Sequence, residues 1–248
     1  MFPRIDSTPL PDPTPTDWLM GRLDFGRSVR QWLPVTFEAY ARVLHPASIE
    51  RKEGEGWTHV PVQWAEISEW SGKELVSTTN IISLQVRADG ANWRDQTSEG
   101  EHTNGPVEGQ LVRPQLDRLG DLLTDATETP DTLWMLVWDG WGAHSLKALG
   151  HRELDISQSL TSSGRRYFLC RGFFENVAPG EDGDRVQEPP SFWWPADRAW
   201  FVSTDIDLPC TYVGGSASLV ERIIVDAQLE ALPARLDDPL GGDPVPPP

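Results

Sequence analysis

Residues 193–232, WWPADRAWFVSTDIDLPCTYVGGSASLVERIIVDAQLEAL, constrain the fold more than any other stretch of the chain. Trp200, Val202 and Thr204 alternate with Phe201, Ser203 and Asp205. Strand side chains alternate between faces, so large groups fall on both sides of a strand over 200–204. An acidic turn over 205–209 and a second strand over 211–213 follow. Gly214 and Gly215 can adopt positive φ without a Cβ clash, which predicts a turn. Ser218 and Glu221 have capping-box spacing. Leu219, Val220, Ile223, Ile224 and Ala227 recur at helical spacing, which predicts a helix over 219–232 with one apolar stripe.

The rest of the chain reads more briefly. Residues 37–44, FEAYARVL, fit strand alternation and also carry a helical spacing; the strand is preferred, and Pro46 ends either element. Charged, Gly-bearing residues 47–60 read as a loop. Pro61 opens a helix running to Trp70, with Gly72 as its stop. Residues 80–86, NIISLQV, suit a strand or a helix, and 88–110 form a long polar loop of the kind that is often functional. Pro114 opens a second helix, with Leu116, Leu119, Leu122 and Leu123 on its apolar face. Residues 133–138, LWMLVW, are apolar without interruption, as in a central strand buried on both faces. Asp139-Gly140 follows as a turn. Residues 166–170 are another strand, which Phe173 and Phe174 extend or adjoin.

Helices and strands mix here without regular β-α-β alternation. The expected class is α+β, with an antiparallel or mixed sheet and helices packed mainly on one face. The expected organisation is a disordered Pro-rich arm over 1–16, a single globular domain over 17–235 and a disordered Pro/Asp-rich tail over 236–248.

Composition then excludes function classes. The net charge is -17, with only three lysines, Lys52, Lys73 and Lys147. Phosphate backbones repel such a chain, so nucleic acid is not an expected ligand, and a basic protein is the partner the charge suits. No apolar run approaches the roughly 18 residues of a spanning helix. The N-terminal residues lack the apolar core of a signal peptide, so the cytoplasm is the expected location. Cys170 and Cys210 lie in strand-like runs and read as reduced, buried thiols.

FEAYARVLHP (37–46), LWMLVWDGWG (133–142), WWPADRAW (193–200), DIDLPCTYVGGS (205–216) and LEALP (229–233) resemble motifs of a family of uncharacterised bacterial proteins. The resemblance spans most of residues 30–235. It implies no activity and no cofactor, so no site residue comes with it.

The candidate sites come from the residues alone. Asp205 and Asp207 are two apart and face one way on an extended backbone, and Asp197 is close in sequence; three carboxylates suit a hard cation or shared acid–base work. Asp139 sits between Trp138 and Trp141, where desolvation raises a carboxyl pKa. The same four aspartates suit turns and helix caps. His45, His59, His102, His144 and His151 make no HxH, HxxxH or HExxH pattern, and no cysteine stands near one at zinc spacing, so no metal site is expected. His45, before Pro46, is the one expected to be buried. Gly214-Gly215-Ser216 lacks the lysine of a phosphate loop and the GxGxxG of a dinucleotide fold. Twelve tryptophans are many for 248 residues. Trp193 and Trp194 are adjacent and point to opposite faces, so one is expected at the surface, where indole anchors partners; Trp141 is a further binding candidate.

The function expected from these features is a non-catalytic binding or interaction protein, regulatory or immunity-like. The alternatives are an enzyme with an acidic, metal-assisted site at Asp139, Asp197, Asp205 and Asp207, or a small-molecule sensor with a Trp-lined pocket.

Overall fold

The computed structural model describes residues 2–6, 14–19, 23, 26–54, 56–95, 101–141, 146, 153–154, 166–175 and 189–242. The chain runs through β1 (Phe2–Ile5), β2 (Ala39–Leu44), β3 (Ala47–Glu53), β4 (Gly56–Val62), α1 (Trp64–Ser71), α2 (Ile81–Leu84), β5 (Glu101–Asn104) and α3 (Arg113–Thr124). It continues through β6 (Leu133–Trp138), β7 (Glu153–Leu154), β8 (Tyr167–Glu175), β9 (Phe192–Pro195), β10 (Phe201–Ser203), β11 (Cys210–Gly215), α4 (Ala217–Ile224) and β12 (Ala231–Pro233). The fold is α+β. A nine-stranded sheet has the order β1-β8-β6-β9-β10-β11-β2-β12, with β7 beside β8, and a smaller sheet has the order β4-β3-β5. Their pairings are antiparallel.

Strand alternation divides the core of the large sheet in two. On β6, Leu133, Met135 and Val137 face one side, with Leu119, Leu122 and Leu123 of α3 and Leu219, Val220 and Ile223 of α4. Trp134 and Leu136 face the other side, with Trp64 and Ile67 of α1 and Ile81 and Leu84 of α2. Helices therefore cover both faces, and packing on mainly one face is corrected. The same fact corrects the expectation for the paired indoles. Trp193 is 2% exposed and Trp194 is not exposed at all. Each points to a different face, as alternation requires, but a core waits on either side. Trp193 packs edge-on against Trp200 at 5.3 Å, while Trp194 stacks on Phe201 at 5.6 Å.

Two helix-boundary signals hold, at Gly72 and Pro114, whereas Pro61 lies in β4 and α1 starts at Trp64. Gly72 caps α1 at φ 70°, and α3 starts beside Pro114. Other stretches differ. Gly214 and Gly215 continue β11 instead of turning. Their lack of a side chain serves packing: a Cβ on Gly214 would stand 2.7 Å from Phe37 Cδ2. α4 starts at an N-cap Ser216, whose hydroxyl accepts from the Leu219 N–H at 3.2 Å, and it ends at Ile224. Residues 231–233 leave the helical pattern to pair with β2 as an edge strand. The charged loop expected over 47–60 is the β3–β4 hairpin, a sheet exposed enough to carry polar side chains.

Both Pro-rich termini also differ from expectation within the described residues. Residues 2–5 form β1 at the sheet edge, where buried Arg4 meets Glu175 at 2.8 Å. Residues 236–242 lie against the body: Ser28 bridges to Pro239, and the Leu240 N–H donates to the Arg27 carbonyl at 2.8 Å. Residues 7–13 and 243–248 lie outside the described residues.

One buried cation ties these parts together. Arg42, in the middle of β2, is 1% exposed. Its guanidinium donates to the carbonyls of Ser77 at 3.0 Å, Thr79 at 2.9 Å and Gly241 at 2.9 Å, and it lies over the Trp64 ring at 5.3 Å. The guanidinium fork keeps its charge in proteins and matches several acceptors at once. On the same strand pair, the Tyr212 hydroxyl accepts from the Gly241 N–H at 3.0 Å, and burial holds that phenol protonated. Glu230 adds a second long-range tie, its carboxylate accepting from the Trp64 and Ala65 N–H groups at 2.7 Å each, at the start of α1.

Replacing Arg42 by Met removes the guanidinium donors from the Ser77, Thr79 and Gly241 carbonyls, whereas Lys restores the charge and at most part of the fork. Bonds to a charged donor contribute about 1.5–3 kcal/mol each and are not additive. Arg42→Met is expected to lose roughly 3 kcal/mol or more in urea denaturation, with Arg42→Lys between it and the parent. Limited proteolysis is expected to cut the 236–242 segment faster in Arg42→Met than in the parent chain. Equal cutting would mean that Arg42 does not hold that segment.

Candidate functional site

The four aspartates do not gather. Asp139 follows β6 and pairs with Arg166 at 3.2 Å. Asp205 follows β10, and β9 lies between these two strands. Strands are spaced about 4.8 Å apart, which separates the two carboxylates' backbones by roughly 10 Å. Asp197 follows β9, which runs antiparallel to β6, so it lies at the opposite end of the sheet from Asp139.

Each aspartate has local work. Asp197 accepts from the Glu128 N–H at 2.7 Å, the Thr127 hydroxyl at 2.8 Å and the Ala199 N–H at 3.1 Å. Asp205 accepts from the Asp207 N–H at 3.0 Å. The bonds from Ala199 and Asp207 are the turn roles that aspartate performs through its short acceptor, and those from Thr127 and Glu128 tie Asp197 to a distant loop. Among the described residues, no group of three or more His, Cys, Asp or Glu could hold a metal ion. The side chain of Trp141 lies outside the described residues.

His45 is buried as expected, in an arrangement that no local pattern announced. Its Nδ1 lies 2.6 Å from the Val107 carbonyl, and its Nε2 lies 2.9 Å from the Thr211 hydroxyl. A carbonyl only accepts, so Nδ1 carries the proton and Nε2 accepts from Thr211. The Thr204 hydroxyl, 2.8 Å from that of Thr211, completes the chain. Burial, outweighing the Val107 hydrogen bond, pushes the His45 pKa down to about 4. The imidazole is therefore neutral near pH 7 and too weak a base to hold a proton there.

Thr204 and Thr211 line a cleft with Leu111, Leu116, Trp193 and Val202. Its volume is about 20 Å³, close to the room of a single water molecule. The Trp193 wall thus encloses space for a hydrated hydroxyl pair and not for a metabolite.

A groove of about 460 Å³ opens elsewhere, between the start of β2, the outer side of α4 and the end of β12. Its walls include Tyr40, Val220, Ile224 and Pro233, and the carboxylates of Glu38 and Glu221 stand on it. Both glutamates are exposed. Glu38 accepts from the Ala217 N–H at 2.9 Å at the start of α4; Glu221 pairs with no cation among the described residues. Beyond the helix end, Val225 is 73% exposed. Sequence reasoning missed this groove because its residues are drawn from three separated segments, and each segment looks ordinary by itself.

No family model, curated protein or solved structure matches the chain. Segments 37–46, 133–141, 193–200, 205–216 and 229–233 fall on the centre and one edge of the large sheet: β2 with His45, β6, the β9–β10 connection, β11 and β12. Cys170 and Cys210 are both buried, and neither forms a disulfide. No helix among the described residues is long and apolar enough to cross a membrane.

The depressed His45 pKa fixes the sign of a pH effect. The unfolded histidine, with a pKa of about 6.5, binds its proton before the folded one does. Stability is full above about pH 6.5 and falls as pH drops toward 4. A gap of about 2.5 units corresponds to roughly 3 kcal/mol, of which about 2 kcal/mol is lost between pH 6.5 and 5. His45→Gln, whose amide can donate to Val107 and accept from Thr211, is expected to flatten urea midpoints over that interval. An unchanged slope in the variant would show that His45 does not set it.

Proposed function

We propose that this protein is a non-catalytic binding protein that receives a basic, partly apolar polypeptide in the groove between β2, α4 and β12. The observation that carries this reading is the pairing of an apolar floor (Val220, Ile224, Pro233) with two exposed carboxylates (Glu38, Glu221) in an open groove of about 460 Å³. The chain's charge of -17 supports it, because a surplus of one sign steers an oppositely charged partner during encounter. Apolar side chains of the partner would supply the buried area; its lysine or arginine side chains would meet Glu38 and Glu221. Two features weigh against the acidic-enzyme and sensor alternatives: the spacing of Asp139, Asp197 and Asp205, and the water-sized cleft at Trp193. A regulatory or immunity-like role in the cytoplasm fits such capture of a basic protein.

A test uses labelled basic amphipathic peptides carrying Leu and Arg at helical spacing, with acidic and neutral peptides of the same length as controls. Fluorescence anisotropy is expected to show binding of the basic series alone, weakening as salt screens the charges. In the double variant Glu38→Lys/Glu221→Lys, affinity is expected to fall at least about tenfold, since two attractive contacts become repulsive. Binding that ignores salt and survives the double reversal would refute the groove as the docking site.

A further inference from the structure

α4 carries two rows of side chains that meet at Val220. Leu219, Val220 and Ile223 enter the core of the large sheet. Ala217, Val220, Glu221 and Ile224 line the groove. The second row has the spacing i, i+3, i+4, i+7, with which one helix presents a face to another. Ala217, exposed at the start of that row, has only a methyl group and leaves room for a close approach. Val225, 73% exposed, adds an apolar side chain just past the helix end.

The backbone around the groove favours the same kind of occupant. β12 is an edge strand of the large sheet. The Leu44 N–H donates to the Glu230 carbonyl at 2.8 Å and the Ala234 N–H to the Tyr40 carbonyl at 2.9 Å, so residues 230 and 234 turn toward β2. Backbone groups alternate along such an edge, so Pro233 and Arg235 turn outward. Proline has no N–H, and the Arg235 N–H donates to the Asp238 carboxylate at 2.8 Å. On the facing rim, the Ala217 N–H donates to Glu38 at 2.9 Å. A partner strand finds no donor for its carbonyls at these positions. An α-helix brings its own backbone hydrogen bonds and needs only a row of side chains to pack on.

The charges set the pattern on the occupant. Glu38 stands at the first residue of α4, and Glu221 lies four residues on, about 6 Å along the axis at roughly 1.5 Å per residue. Glu38 also fills the helix N-terminus, which otherwise attracts anions. Taking the groove as the docking site proposed above, we infer that the partner enters it as an α-helix packed along α4. The occupant's apolar stripe lies on Ile224 and Pro233, and two basic side chains one helical turn apart meet Glu38 and Glu221. The contact is short, because the eight residues of α4 span only about 12 Å.

The test uses the full chain and four labelled peptides built from Leu, Ala and Arg. The first is designed as a helix, with Leu at i, i+3, i+4 and i+7 and two Arg one turn apart beside that stripe. The second moves those Arg to the far side of the helix. The third alternates Leu and Arg as a strand does, and the fourth places a Pro at the centre of the first. In fluorescence anisotropy the first is expected to bind at least about tenfold more tightly than each of the others. Far-ultraviolet circular dichroism is expected to show a gain of helical signal when it binds. Equal affinity for the helical, alternating and Pro-bearing peptides, with binding still lost in Glu38→Lys/Glu221→Lys, would overturn the helical occupant and leave the groove as the docking site. Equal affinity for the two placements of Arg would overturn the pairing of the charges. Absence of binding by all four, or binding indifferent to the double reversal, would overturn the groove itself and the helical occupant with it.

Discussion

The main constraint on this molecule is that its large sheet is covered on both faces. A central strand in such a sheet has little solvent side, so most positions along it must suit an interior. β6, β9, β10 and β11 meet that demand with Leu, Met, Val, Trp, Phe, Cys and Gly. Burial of both Trp193 and Trp194 follows directly. Several tryptophans serve the same end, because a large indole fills the uneven space between a twisted sheet and short helices. Trp200 illustrates this: its ring is fully buried and its Nε1 donates to the Leu123 carbonyl at 2.9 Å.

Two-sided covering has a cost where the backbone around the sheet is irregular. The segments around Ser77–Thr79 and Gly241 form no strand or helix, yet their carbonyls are drawn toward the core and need donors. Arg42 supplies them from the middle of β2. A guanidinium there is expensive to bury, and the arrangement is stable because three carbonyls and the face of Trp64 share the charge. The C-terminal segment consequently belongs to the folded body up to Gly242, although its composition of Pro, Asp and Gly is that of a loose tail.

Two parts of the molecule escape this covering. The small sheet β4-β3-β5 and the groove beside α4 are where polar and apolar groups lie side by side within reach of solvent. The first sets His102 beside the exposed indole of Trp57; the second sets carboxylates on an apolar floor. The aspartates that follow the large sheet's strands have no such freedom, since turns, a distant loop and Arg166 already use their oxygens. A carboxylate that accepts three donors, as Asp197 does, is poorly placed to act on anything else.

Local chemistry was legible in the sequence wherever one segment decides the outcome. The uninterrupted run at 133–138 marked a strand buried on both sides, Gly72 marked a helix stop, Pro114 marked a helix start, and Cys170 and Cys210 read as buried thiols. Pairing was not legible, because a strand edge and a turn can share a composition. The polar run over 47–60 became a hairpin, Gly214-Gly215 extended a strand, and residues 2–5 found a partner in β8. The covering of both faces by helices was hidden for the same reason: an apolar stripe tells a helix to pack, but not on which side of the sheet. Composition and periodicity thus determined which residues had to be buried. Only the tertiary structure decided which buried or exposed residues became neighbours, since Glu38 and Ala217, like Arg42 and Gly241, are brought together by long-range strand register and packing that no single segment encodes.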